Sequence, residues 1–143
     1  MSETQRPHRL AVTGGIGSGK SHICRLLSAR GLPVFYCDDE AKRLIRQDSE
    51  IRRRLTALIG PEVYDKDGRL VKPVLAAWIC GSKAQAAQID AIVHPRVAEV
   101  FDQWVSDHAE AAVVVMECAL LYESGFDRLV DEVVAVSVPE ELR

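Results

Sequence analysis

Four short apolar runs, separated by stretches of helical period, set the layout of this chain. Residues 9–13 and 33–36 read as strands, as do 112–116 and 132–138. The third run is continuous and β-branched, which suits a strand buried on both faces of a parallel sheet, and the fourth repeats the pattern. After the first run Ile23, Leu26 and Leu27 recur at helical spacing until Gly31 ends the segment. Three further groups follow the same period: Ala41, Leu44 and Ile45; Ile51, Leu55, Leu58 and Ile59, closed by Gly60; and Val74, Leu75, Trp78 and Ile79, closed by Gly81. Asp65-Lys66-Asp67-Gly68 is a turn between two of these helices. Pro95 suits the first turn of another helix, with Val97, Phe101, Trp104 and Val105 as its buried stripe. Pro139 begins what reads as a further helix.

Strands alternating with helices predict an α/β fold: a P-loop NTPase-type parallel sheet with four strands present and helices on both faces. The helical stretch between strands 2 and 3 is too long for a plain crossover. It is expected to be a helical substrate-binding insert over 40–108, with the nucleotide-binding core formed by 1–39 and 109–143. At 143 residues, 48% of them apolar, the chain supplies one compact core rather than two. No internal repeat or Gly/Ser-rich linker divides it.

The first strand runs directly into GGIGSGKS at 14–21, a match to G-x-x-x-x-G-K-[ST]. Chance supplies such a match in roughly one chain of this size per few hundred. Gly14, Gly15, Gly17 and Gly19 are expected to take positive φ and turn their amides toward an anion. Lys20 reaches the β- and γ-phosphates, Ser21 offers a hydroxyl to Mg²⁺, and the helix that follows aims its positive end at the phosphates. The expected ATP-holding set is Gly15, Ile16, Gly17, Ser18, Gly19, Lys20 and Ser21, with His22 in the first turn after it. A dinucleotide loop is excluded, because the register G-x-G-x-x-G would need glycine where Lys20 stands. Guanine-specific switching is disfavoured as well, since the chain contains no asparagine and so no N-K-x-D segment.

The second strand delivers Cys37-Asp38-Asp39 to the same sheet edge as the loop, where ligands of open parallel sheets bind. Asp38 is also placed to cap a helix beginning at Glu40. Glu117 stands at the carboxyl end of the third strand.

A formal charge of −3 argues against a general nucleic-acid binder, and Arg52-Arg53-Arg54 reads as a solvated helix face. Four cysteines without a C-x-x-C pair or histidine at ligand spacing support neither a metal cluster nor a redox motif; reduced, mostly buried thiols are expected. The N-terminus lacks a secretory h-region and no run approaches the roughly 20 apolar residues of a membrane span. The expected setting is cytoplasmic, with no membrane partner. Oligomeric state stays open.

Five segments, in order, carry a family resemblance. They are TGGIGSGKS at 13–21; Gly31-Leu32-Pro33-Val34 followed by Asp38 and Ala41; Asp67-Gly68-Arg69-Leu70 with Lys72 and Leu75; Ile92-Val93-His94-Pro95; and Glu117-Cys118-Ala119-Leu120-Leu121-Tyr122-Glu123. Together they resemble dephospho-coenzyme A kinases, which phosphorylate the ribose 3′-hydroxyl of dephospho-CoA with ATP, the last step of coenzyme A biosynthesis.

Departures from the family pattern are local. Tyr36 and Cys37 replace an aspartate and an alanine, Lys72 an arginine, Glu117 an aspartate and Ala119 a proline. The resemblance implies that Asp38 is the catalytic base, with Lys20 the second catalytic residue. It implies that Lys72, His94, Glu117, Leu120 and Leu121 line the acceptor site with Asp38, and that Glu117 joins Ser21 at Mg²⁺, through water. It also implies an arginine-bearing lid and a last strand beyond strand 4, for which this sequence has no counterpart. On that expectation the 143-residue chain corresponds to an N-terminal portion with impaired transfer. Another P-loop nucleotide or nucleoside kinase and a non-catalytic ATP-binding fragment are the alternatives.

Overall fold

In the computed structural model residues 6–15 and 17–137 are described. Ile16, Val138 at the end of the expected fourth strand, and the expected helix start at Pro139 lie outside the described residues. Strands β1 (His8–Thr13), β2 (Val34–Tyr36), β3 (Val113–Glu117) and β4 (Glu132–Ala135) form one sheet, every pair parallel, in the order β2-β3-β1-β4. Six α-helices accompany them among the described residues: α1 (Lys20–Ala29), α2 (Cys37–Gln47), α3 (Ser49–Ile59), α4 (Lys72–Ile79), α5 (Lys83–Asp107) and the single turn α6 (Leu121–Ser124). Contacts divide the chain into two compact units, Met1–Asp38 with Ala98–Arg143, and Asp39–Val97.

In the sheet unit the register sorts side chains to two faces, because residues paired across strands point the same way and neighbours along a strand alternate. Val34, Val115 and Leu10 are in register, as are Tyr36, Glu117 and Val12. Helix α1 covers this face: its fully buried Cys24 clusters with Val12 and Val115, flanked by Leu27, Leu32, Val34 and Tyr36. The opposite face carries Phe35, Met116 and Ala11 in register. There Phe35 meets Phe101 edge-on at 5.1 Å and Trp104 at 5.3 Å, both from the carboxyl part of α5. The Arg9 guanidinium lies over the Phe101 ring at 5.4 Å and pairs with Asp102 at 2.8 Å. Helices therefore cover both faces, as the sequence predicts.

Three local expectations are corrected. Leu26, placed by its spacing in the buried stripe of α1, is 52% exposed, and Cys24 is the residue that faces the sheet. The fourth strand is not buried on both faces: Val134 is 40% exposed. Pro95 does not start a helix but sits inside the 25-residue α5. Proline there deprives the Ala91 carbonyl of its usual helical donor. Burial overrides that loss, since Ile89 and Val93 before it and Val97, Phe101 and Val105 after it are all buried.

The unit Asp39–Val97 is helical. Asp48 caps α3 by accepting the Ile51 N–H at 3.1 Å, and its other oxygen takes a hydrogen bond from Arg96 Nε of α5 at 3.0 Å. The turn at 65–68 forms as expected, with Asp65 Oδ1 accepting from the Asp67 and Arg69 amides at 2.9 Å each. Tyr64, which opens it, donates its hydroxyl to the Ile45 carbonyl at 2.6 Å and lies under the Arg52 guanidinium at 4.1 Å. Arg53 and Arg54 are solvent-exposed.

Candidate active site

The sheet register gathers the site at one edge. Glu117 ends β3 between Tyr36 of β2 and Val12 of β1, so the segments leaving all three strands emerge together. Gly14 follows β1 by one residue, and Asp38 stands two residues beyond Tyr36. Because β2 passes into α2 without a loop, Asp38 and Asp39 occupy the first turn of that helix. Asp38 is thus not the cap of a helix starting at Glu40. Its carboxylate sits where the helix dipole favours negative charge.

Within the loop Gly17 and Gly19 take φ of 79° and 95°, values that disfavour any side chain. Gly14 and Gly15 do not adopt positive φ, contrary to expectation. Gly14 is required for space instead: a Cβ there would lie 2.6 Å from Ser18 Oγ and from the Val136 carbonyl oxygen. The loop tightens through a Ser18 N–H bond to the Gly15 carbonyl at 3.1 Å, and Gly19 then opens α1 with no side-chain cap and no acidic residue in the first turn. That leaves amides of the first turn for an external anion. Ser18 Oγ is buried without a hydrogen-bond partner, an orphan that a phosphate oxygen can satisfy.

Lys20, Ser21 and Glu117 converge. The side chain of Glu117 points to the α1 face, where its Oε1 lies 3.7 Å from Lys20 Nζ and its Oε2 accepts from Ser21 Oγ at 3.3 Å. Both charged groups are largely buried, which is tolerable because each has the other as partner. Two contacts hold the neighbouring chain in place: the Cys118 N–H bonds to the Val12 carbonyl at 3.1 Å, and the Thr13 hydroxyl donates to the Ala119 carbonyl at 3.4 Å. Beneath the cluster burial pushes the Cys24 thiol up to about 11, helped by the charge of Glu117 and opposed by Lys20.

Other expected residues are placed separately. His22 is exposed in the first turn of α1. Leu120 is 57% exposed, whereas Leu121 is fully buried and has no surface to offer an acceptor. The difference follows from α6, whose single turn sends adjacent side chains in different directions. Lys72 begins α4 as an exposed residue, and His94 lies on α5 with Nε2 at 3.6 Å from Asp90 Oδ1; both belong to the helical unit. The sequence reading missed Thr13, although a hydroxyl at the last strand position before such a loop is a usable signal. It also missed that Cys37 and Cys118 lie close enough to perturb each other's thiols, since nothing local relates residues so far apart in the chain.

The model for the family described as dephospho-CoA kinase (CoaE) matches residues 9–143. The chain belongs to the dephospho-CoA kinase family. Among the relatives of this family, the dephospho-CoA kinase of Bacteroides fragilis strain YCH46 is 44% identical over 135 residues, covering 94% of this chain and 65% of the relative. That of Porphyromonas gingivalis is 41% identical over 134 residues, with the same coverage of 94% and 65%. This chain therefore spans 65% of the length of these two dephospho-CoA kinases. The crystal structure of TT1252 from Thermus thermophilus superposes with a TM-score of 0.78 at 32% identity, covering 96% of this chain and 69% of that one. The dephospho-CoA kinase from Campylobacter jejuni, at 20% identity, shares the fold with a TM-score of 0.71, covering 94% of this chain and 68% of its own.

Proposed function

We propose that this chain binds ATP at the 14–21 loop and directs its γ-phosphoryl group to the ribose 3′-hydroxyl of dephospho-CoA. The observation that carries this reading is the convergence of Lys20, Ser21 and Glu117 beside a loop with uncapped amides. Gly15, Ile16, Gly17, Ser18, Gly19 and Lys20 hold the phosphates, with Lys20 compensating charge on the γ-group. His22 flanks them.

Asp38 accepts the proton of the attacking hydroxyl as the new oxygen–phosphorus bond forms and the bond to the β-phosphate oxygen breaks, releasing ADP. Lys72 and His94 contribute to holding the acceptor, Glu117 orders the edge beside it, and Leu120 gives it an apolar wall. Leu121 supports that wall from the core.

The donor set suits Mg²⁺. Ser21 and Glu117 are hard oxygen ligands, and among the described residues no group of three or more His, Cys, Asp or Glu side chains is placed to hold a metal, as fits an ion that keeps waters and takes phosphate oxygens. Mg²⁺ held by Ser21, and by Glu117 through water, would supply neutralisation of phosphate charge. Among the described residues no helix is long and apolar enough to cross a membrane. The small-molecule acceptor supports a protein working in the cytoplasm.

Equilibrium binding in the presence of a non-hydrolysable ATP analogue tests the acceptor. Dephospho-CoA is expected to bind and to resist displacement by nucleoside monophosphates. Binding of AMP or CMP with none of dephospho-CoA would transfer the reading to another P-loop nucleotide kinase.

A further inference from the structure

We propose that Cys37 and Cys118 close a reversible disulfide at the rim of the phosphate site, a thiol modification site that responds to peroxide. The chemistry of closure stands on the placement of the two residues; its effect on the site rests on the ATP-binding reading above.

Tyr36 and Glu117 are register partners in adjacent parallel strands, and each is followed directly by a cysteine. Adjacent strands lie about 4.8 Å apart, which sets the separation of Tyr36 and Glu117, and each cysteine is one residue beyond that pair. A disulfide needs Cα atoms about 4.4–6.8 Å apart. The two thiols are also close enough to perturb each other, that of Cys37 being raised and that of Cys118 lowered by the neighbouring sulfur, and both residues are free. Each residue is 5% exposed, so a small oxidant is the appropriate probe and a bulky disulfide is not.

The reaction balances with hydrogen peroxide as oxidant. One sulfur attacks the peroxide, becomes a sulfenic acid and releases one water. The neighbouring thiol then attacks that sulfur, its proton leaves with the displaced hydroxide as a second water, and the sulfur–sulfur bond forms. Two thiols have lost two electrons, and the peroxide has taken them. A small dithiol reverses the step by exchange.

Closure draws the sulfurs together to about 2.05 Å. Cys37 opens α2 immediately before Asp38, while Cys118 follows the carboxylate that contacts Lys20 and Ser21 and ties its own N–H to the end of β1. The displacement therefore reaches both carboxylates and the base of the loop. Bridging is expected to weaken ATP binding about tenfold, the effect of weakening a charge-assisted hydrogen bond.

The test treats the folded 143-residue chain with hydrogen peroxide, traps remaining thiols by alkylation after denaturation, and maps peptides without reduction. A linked Cys37–Cys118 pair, loss of ATP affinity and recovery of both with dithiothreitol are expected. Cys80→Ser, which removes the exposed thiol, should behave the same way. Cys37→Ala and Cys118→Ser should each bind ATP like the reduced chain and ignore peroxide; having both variants keeps the test usable if one fails to fold. Absence of the linked pair, stable sulfinic acids on these residues, or a bridge that leaves ATP affinity unchanged each overturns the proposal. If the reduced chain binds ATP but not dephospho-CoA, the acceptor reading fails, whereas the linked pair with its ATP effect still upholds this one.

Discussion

In the proposed reaction Lys20 and Asp38 divide the work at the phosphate edge, and they should fail differently. Replacing Lys20 with alanine removes the cation proposed to face the phosphates and strips Glu117 of its buried partner. ATP affinity is expected to fall by roughly 10- to 100-fold, as for the loss of a hydrogen bond to a charged group, measured by calorimetric titration. Asp38→Asn keeps the shape of the first turn of α2 and removes the proposed proton acceptor. Turnover on dephospho-CoA is expected to drop by about 10²- to 10⁴-fold with ATP affinity retained; unchanged turnover in a steady-state assay would remove Asp38 from the chemistry. The residues of the loop were legible in sequence because their signal is local: glycine spacing, then lysine, then serine. The separate jobs of the glycines were not legible, since only the folded loop shows Gly17 and Gly19 serving conformation and Gly14 serving space.

Individual elements show where local pattern suffices and where it does not. Helix α3 was readable from its apolar period and terminal Gly60, and Asp48 proves to be its cap. Partial burial alone would raise the Asp48 carboxyl, yet the Ile51 amide and the Arg96 guanidinium outweigh it and hold the group below the usual carboxylate range. A depressed folded value means that the stabilisation is complete above the ordinary carboxylate pKa and is lost as pH falls through the folded one. The Asp48→Asn variant, still able to cap, should therefore show a flatter loss of melting temperature on acidification than the parent. A parallel acid limb in the two proteins would count against this ion pair. Helix α5 gave the opposite lesson: Pro95 has the local chemistry of a helix start, and burial along the helix decided that it continues.

At the scale of the whole molecule, the sheet unit depends on an aromatic layer that links β2 to α5. Phe101 is fully buried and contacts Phe35, Trp104 and Arg9. Phe101→Ala is expected to cost about 3–5 kcal/mol, read from denaturant midpoints. ATP at a hundred times its dissociation constant should return about 2.7 kcal/mol, because the ligand binds only the folded sheet edge. A loss under about 1 kcal/mol would mean that this layer is less tightly packed than its burial implies.

The sequence alone determined that a strand, an anion-binding loop and a helix come in that order, that further strands alternate with helices, and that Asp38 and Glu117 follow strand ends. Those features depend on residues within a few positions of one another: backbone preference, apolar period and terminal glycine. Tertiary structure decided that Glu117 meets Lys20 and Ser21, that Cys37 meets Cys118, that β4 is an edge and that Leu121 is buried while Leu120 is not. Each of these depends on strand order and register, which are set by packing between segments distant in the chain and which no local pattern encodes.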